Sequence, residues 1–195
     1  MRFNFLILLT ILTLTAAGQK LEYRHDSLFV NSFFVDVSTS KSFLDSLLQT
    51  SGKTKSAKDK YKDNPVTGKK VKQTTIFYYD KGLFFRKYDY DSTQLSIGIK
   101  LYRDTDPQND RESELTETFK GQLYIAGNYI NDNRQIDKLQ DLENCSVTVS
   151  EATVGSFSTI IGGDILYGEN VIRLSFDRKT KELIAVFIHH NFKDR

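Results

Sequence analysis

Acid–base, nucleophilic or metal chemistry in this 195-residue chain would have to be built from three histidines, one cysteine and 25 carboxylates. His189 and His190 are adjacent in a strand-like run, so their side chains leave opposite faces and do not converge on one metal. His25 falls in an N-terminal segment that reads as mobile. A zinc site needs three or four converging ligands, and neither HExxH nor paired-cysteine spacing occurs. Cys145 with His189 or His190 would make a thiolate–imidazole pair. A lone cysteine opening the run Cys145-Ser146-Val147-Thr148-Val149 is explained by packing as an inert thiol; an intermolecular disulfide is the alternative. Ser156 and Ser158 follow Gly155, but no G-x-S-x-G elbow exists. Asp89 and Asp91 flank Tyr90, and Asp104 and Asp106 flank Thr105. These are half of a calcium loop without its glycine and distal glutamate, and they read as turn residues. Gly162-Gly163-Asp164 precedes a strand and matches no phosphate loop. The chain therefore reads as a non-enzyme, with no cofactor and no metal.

Binding chemistry is better represented. Residues 53–72 hold eight lysines against two aspartates. This reads as a long, mobile loop, short of the aromatics and arginines that nucleic-acid bases would stack on. Lys58, Lys60, Lys62, Lys69 and Lys70 can steer an acidic protein partner; alternatively they are solvated, or paired with the acidic stretch 104–117. Ten tyrosines and fourteen phenylalanines occur without tryptophan. Phe29, Phe34 and Phe43 fall at apolar positions and read as core. Tyr78, Tyr90 and Tyr102 are candidate partner contacts, because tyrosine supplies area and a hydrogen bond at low entropy cost. Tyr124 and Tyr129 stay ambiguous between interface and strand-forming roles.

The elements that must position these groups repeat. Residues 83–102 and 171–190 are one pattern 88 positions apart. Tyr88-Asp89 falls over Phe176-Asp177, and Ile97, Ile99 and Leu101 over Ala185, Phe187 and His189. A second echo, at 95 positions, sets Leu28-Phe29-Val30 over Leu123-Tyr124-Ile125 and Phe34-Val35 over Tyr129-Ile130. Each half reads as two short strands around a tight turn, a short helix, and a run of antiparallel strands. In the first half the helix starts at the hydroxyls of Ser38-Thr39-Ser40, runs through Phe43, Leu44, Leu47 and Leu48, and ends at Gly52. In the second, Asn133 caps a helix through Ile136 and Leu139. Gly162-Gly163 and Gly168 break the strands that follow.

The expected architecture is α+β: two tandem units forming one continuous antiparallel sheet of about eight strands, with helices on one face and the other face partly open. Residues 1–18 have the layout of a signal peptide, with Arg2, the apolar run from Phe5 to Leu14, and Ala16-Ala17-Gly18 before a cut near Gln19. Units at 19–103 and 119–195 then flank an acidic linker at 104–118. Removal of the leader places the protein in the periplasm or outside the cell. The formal net charge of +2 provides no global field toward nucleic acid or lipid.

Residues 38–52, the turn Asp80-Lys81-Gly82 and the run Phe119-Lys120-Gly121-Gln122-Leu123-Tyr124-Ile125 fit a layout that resembles the tandem architecture of β-lactamase inhibitor proteins. Small outer-membrane assembly lipoproteins carry a single related unit, and the layout is also similar to secreted Bacteroidetes-type proteins, including periplasmic immunity proteins. The resemblance implies protein binding, such as inhibition or toxin immunity by occlusion of a partner. The inhibitors' disulfides are absent and no inhibitory loop matches, so no functional residue is carried over. The alternative is a small-ligand carrier of the cell envelope.

Overall fold

The computed structural model describes residues 19–63, 68–89, 94–105, 115–131, 134–154, 158–167 and 170–191. Residues 1–18, Tyr90, Asn133, Gly168 and most of the acidic stretch 104–118 lie outside them. Among the described residues no helix is long and apolar enough to cross a membrane.

The chain opens with β1 (Lys20–Arg24), a strand that its composition did not announce. The hairpin β2 (Ser27–Val30) and β3 (Phe33–Val35) follows, then helix α1 (Lys41–Leu48). Four strands come next: β4 (Lys53–Asp63), β5 (Lys70–Tyr78), β6 (Leu83–Tyr88) and β7 (Gln94–Lys100). The second half repeats the order, with β8 (Gln122–Ile125), β9 (Asn128–Tyr129), helix α2 (Ile136–Gln140), β10 (Ser146–Val154), β11 (Ser158–Tyr167), β12 (Asn170–Phe176) and β13 (Leu183–Asn191).

An eight-stranded antiparallel sheet has the order β10-β11-β12-β13-β7-β6-β5-β4, so the halves meet where β13 pairs with β7. The expected single sheet is corrected at this point. The short hairpins do not extend it but form a separate five-stranded layer, β3-β2-β1-β8-β9, in which β1 is antiparallel to β2 and parallel to β8. Both hairpins turn on two successive residues with positive φ, Asn31-Ser32 and Ala126-Gly127, the twist that tight hairpins require.

The core lies between the layers. One register row of the large sheet runs Ile76, Phe85, Ile97, Ile188, Ile172, Ile165, each no more than 7% exposed. Burying each such side chain contributes about 2 kcal/mol. Leu21, Tyr23, Leu28, Val30, Leu123 and Ile125 meet this row from the small sheet, with Leu44 and Leu48 of α1 and Leu139 of α2 beside them. Helix α1 is N-capped by Ser40, whose hydroxyl accepts from Phe43 N–H. It ends at Gln49 in the left-handed conformation (φ 53°) rather than at Gly52. Gly52 is instead a packing position, because a Cβ there would sit 2.6 Å from Ile76. Asp45 fastens α1 to β5: its carboxylate accepts from Lys41 Nζ (2.5 Å), Tyr78 Oη (2.8 Å) and Gly52 N–H (3.0 Å).

Three further expectations change. The lysine-rich stretch is no free loop; most of it is the edge strand β4 and the start of β5, paired from Lys53↔Phe77 to Lys58↔Lys72. Strand β11 runs through Gly162-Gly163 without a break. The gapless echo at 88 positions also fails by one residue in β13. Leu95, Ile97, Ile99 and Leu101 all face the core, and Leu183 keeps step with Leu95, but the counterparts of the other three are Val186, Ile188 and His190, not Ala185, Phe187 and His189. The β12–β13 register shifts between Ser175 and Phe176, and Ile184 C=O accepts from both Leu101 and Tyr102 N–H. One extra residue is absorbed there, and a one-residue slip exchanges every inward for every outward side chain.

Asp177 locks the β12–β13 turn to the start of the linker. It is 1% exposed; Oδ1 accepts from the N–H groups of Lys179 and Thr180 at 2.8 Å and Oδ2 from Thr105 N–H at 2.6 Å. Burial pulls this carboxyl upward, but the hydrogen bonds from Thr180, Thr105 and Lys179 outweigh it and hold it well below the usual carboxylate range. Asp36 and Asp45 are likewise lowered against their burial, by Ser38 and Thr39 in one case and by Lys41, Gly52 and Tyr78 in the other. Carboxyls depressed on folding leave the unfolded chain binding more protons, so their contribution is present above about pH 4 and lost as pH falls through the folded values. Asp177→Asn therefore costs about 2 kcal/mol at pH 7, and the gap to wild type narrows steadily below about pH 4. Urea midpoints across that range check this; a gap independent of pH would show that Asp177 is not ionised in the fold.

Candidate functional site

The small sheet has a core side and a solvent side, set by strict alternation along β1. Leu21 and Tyr23 are fully buried, while Lys20, Glu22 and Arg24 point away from the core. Registers carry the outward set across all five strands. Phe34 pairs with Phe29, Phe29 with Glu22, Glu22 with Tyr124, and Tyr124 with Tyr129. The result is one row, Phe34–Phe29–Glu22–Tyr124–Tyr129, with an aromatic pair at each end and a carboxylate in the middle.

Each aromatic pair is in contact. Phe29 and Phe34 meet edge to face with centroids 6.0 Å apart, and Tyr124 and Tyr129 are tilted at 5.2 Å. Glu22 is held from both sides along its own strand, by Lys20 Nζ at 3.0 Å and Arg24 Nε at 3.4 Å. Each cation also lies against the neighbouring aromatic, Lys20 at 4.7 Å from the Tyr124 ring and Arg24 at 5.0 Å from the Phe29 ring. The apolar surface continues round the β3 edge, where Phe33 (54% exposed) and Phe43 of α1 (41% exposed) meet edge to face at 5.9 Å. At the other end, Tyr129 enters a groove of about 500 Å³ lined also by Tyr102, Arg103, Glu117, Lys120 and Asn131. The arrangement offers flat apolar area with fixed charges between the rings. It holds no nucleophile–base pair, and among the described residues no cluster of three or more His, Cys, Asp or Glu can hold a metal.

Phe29, Phe34 and Phe43 were expected in the core; Phe34 and Phe43 are corrected to the surface, and Phe29 to a half-buried place on the solvent side of the small sheet. The residues that bury are their neighbours, Leu28, Val30 and Leu44. Tyr78 is corrected in the opposite sense: it is 0% exposed, and its hydroxyl, pushed up by burial and by Asp45, donates inward. Tyr102 lines the groove, but its hydroxyl donates to Asn131 C=O and the Arg134 guanidinium lies 3.6 Å from its ring. Tyr90 lies outside the described residues. Lys58, Lys69 and Lys70 are exposed on the β4–β5 hairpin, and Lys60 and Lys62 lie on β4.

The lysines are not bare of aromatics, as their own segment suggested. On the outer face of the large sheet, Lys55 lies 5.2 Å from the Phe77 ring and 5.5 Å from Tyr79, and Arg86 lies 4.7 Å from Phe84. These rings arrive from β5, β6 and the turn between them. Phe77, Phe84 and Leu115 bury one another, so that face is partly closed at this end.

The histidines separate as expected. His189 meets Ser96 on the outer face, Nδ1 to Oγ 2.9 Å. His190, 2% exposed, meets the Tyr23 hydroxyl in the core at 2.8 Å. His25 occupies the β1–β2 turn with φ 47°, not a loose tail. Cys145 is half-buried before β10, with its thiol pushed up by burial.

Comparison with protein-family models, with curated proteins and with solved structures finds no match.

Neighbouring substitutions on β1 should have opposite consequences. Glu22→Ala breaks two ion pairs on the solvent side whose cations, Lys20 and Arg24, are exposed, and changes stability by about 1 kcal/mol or less. Tyr23→Phe strands a buried His190 nitrogen and costs about 2 kcal/mol. Urea midpoints of the two variants decide; equal losses would mean that β1 does not present two different faces.

Proposed function

We propose that the protein is a non-catalytic protein-binding module that works outside the cytoplasm, in the periplasm or secreted, once residues 1–18 are removed. It acts by occluding a partner, as an inhibitor or a toxin-immunity protein does, and no bond is made or broken. The observation that carries this reading is the row Phe34–Phe29–Glu22–Tyr124–Tyr129. Aromatic side chains with arginine are the groups that dominate interface energy, and here they are arrayed on rigid strands rather than on loops. Contiguous exposed apolar surface rimmed by charge marks interaction sites.

The two halves are copies of one unit. Their hairpin turns coincide at the spacing of 95, Asn31-Ser32 over Ala126-Gly127, and so do the outward aromatic pairs. Duplication accounts for the near-symmetry of the row, in which β1 with Glu22 is the single unpaired insert. The partner is a protein with acidic surface: the β4–β5 lysines steer its approach, and the row holds it once docked.

A small-ligand carrier is the weaker alternative. The groove beside Tyr129 falls within the size range of ligand sites. Its walls carry Arg103, Glu117 and Lys120, however, and a carrier of apolar cargo needs enclosed apolar walls.

The test separates the two roles. With the partner captured from native periplasm, Phe29→Ala and Tyr124→Ala should each weaken binding by about 2 kcal/mol, seen mainly as faster dissociation. Replacing Lys58, Lys60, Lys62, Lys69 and Lys70 by serine should slow association about 10-fold at low salt and flatten its salt dependence. Surface plasmon resonance reads both. Row variants that bind like wild type would remove the row from the account, and unchanged association would remove the lysines.

A further inference from the structure

The two outer edges of the eight-stranded sheet are built differently. Strand β4 carries Lys53, Lys55, Lys58, Lys60 and Lys62, and its ladder with β5 loses register between Lys58 and Asp63. Lysines and irregular register are both devices that keep another strand from adding to an edge. Strand β10 reads SVTVSEATV and has neither: it has no lysine and no proline, one glutamate, and an unbroken ladder of nine pairs to β11. Among the described residues no strand pairs with its other side. Val147 and Val149 pack on the core from this edge but stay only half-buried, as does Cys145. An added strand would cover them.

We propose that β10 pairs antiparallel with β10 of a second copy of this chain, about a two-fold axis at Ser150, so that one sheet runs through both molecules. In that register Ser150 faces Ser150, Val149 faces Glu151, Thr148 faces Ala152 and Val147 faces Thr153. No like charges stand directly opposite one another, the two Glu151 positions being only diagonal neighbours, whereas β4 against β4 would bring two lysine-rich strands together. Self-pairing of this kind is isologous and closes after two copies, and the lysine edges that remain at both ends stop further growth. A foreign peptide is a poorer occupant. Strand addition gains specificity from pockets for alternate side chains, and among the described side chains the exposed side of β10 presents Ser146, Thr148 and Ser150. The chain already makes the same kind of join within itself, where β7 and β13 close its two halves. This inference does not depend on the identity of the binding partner.

The test uses the full chain. Light scattering and sedimentation should give twice the chain mass at micromolar concentration. Ser150→Lys places two lysines face to face on the axis and should weaken association about 100-fold, with the circular dichroism of the folded chain unchanged. In a Cys145→Ser background, Ser150→Cys should form an intermolecular disulfide on mild oxidation; this second variant decides the matter if Ser150→Lys does not fold. A monomeric native chain, a dimer that survives Ser150→Lys, or a Ser150→Cys protein that does not cross-link would each overturn the proposal.

Discussion

The antiparallel pairing of β7 with β13 is the constraint on which the other contacts of this molecule depend. Seven register pairs, from Ala185↔Lys100 to Asn191↔Gln94, join two four-stranded meanders into one sheet with one inner face. Once Ile97 and Ile188 stand side by side, that face is a continuous apolar surface too wide for either short helix to cover. What remains of each half, a hairpin and a helix, must then supply a matching layer. The hairpins alone would leave a gap between them, and β1 fills it. Its parallel pairing with β8 is available because the whole first half serves as the crossover connection, which parallel neighbours require. Tyr23 ties the layers at this seam. Its ring packs against Tyr167 and its hydroxyl meets His190, two groups from the large sheet.

Much of the fold was legible in the sequence because antiparallel strands advertise themselves by alternation and by turn residues. Strands β5 to β7 and β10 to β13, both helices and the two hairpins lie close to where composition and spacing put them. What was illegible has specific causes. Strand β1 offers only Leu21 and Tyr23 as inward residues, too few to stand out from a charged tail. The lysines of β4 hid a strand because each alternates with a small or polar residue, and β-propensity registers a fit to a pleated, half-buried surface. An edge strand presses only one side of its backbone against a neighbour and is free of that demand. The slip in β13 was invisible because a single absorbed residue leaves hydrophobic content unchanged while reversing which side chains face inward.

The same alternation explains why the candidate site was missed. Phe29 and Phe34 are apolar, and aromatic residues default to the core when read one at a time; Tyr124 and Tyr129 stayed undecided between interface and strand-forming roles. Read with their neighbours, Phe29 and Tyr124 turn outward. Leu28 and Val30 bracket Phe29, and Leu123 and Ile125 bracket Tyr124; a strand that buries the flanking pair must expose the residue between. The second echo already aligned these triplets, so the signal was present in period two rather than in hydropathy. Stability does not account for the row. Solvent-side ion pairs with exposed cations, such as those of Glu22, contribute at most about 1 kcal/mol, and cation–π contacts at exposed sites about as much. Phe34 is exposed and Phe29, Tyr124 and Tyr129 are only half-buried, so the row forgoes part of the burial that the same side chains would gain inside. A surface that carries such an arrangement without a folding reason is best explained by something that covers it.

Charge placement would divide the labour of the proposed recognition. The chain is formally only +2, yet eight of its cations fall between residues 53 and 72. A nearly neutral molecule with a local cationic strip exerts its field over a short range, about 8 Å at physiological ionic strength. Such a field speeds and orients encounter but holds little once salt and water intervene. The row has the reverse character. Its cations are already committed to Glu22 and to the rings, so it projects little field, but it offers desolvatable area whose loss must be repaid before a partner can leave. In the binding role proposed above, association and residence would therefore be set by different residues on different strands, and the two could be altered separately because β4 and the β1–β8 seam belong to different sheets.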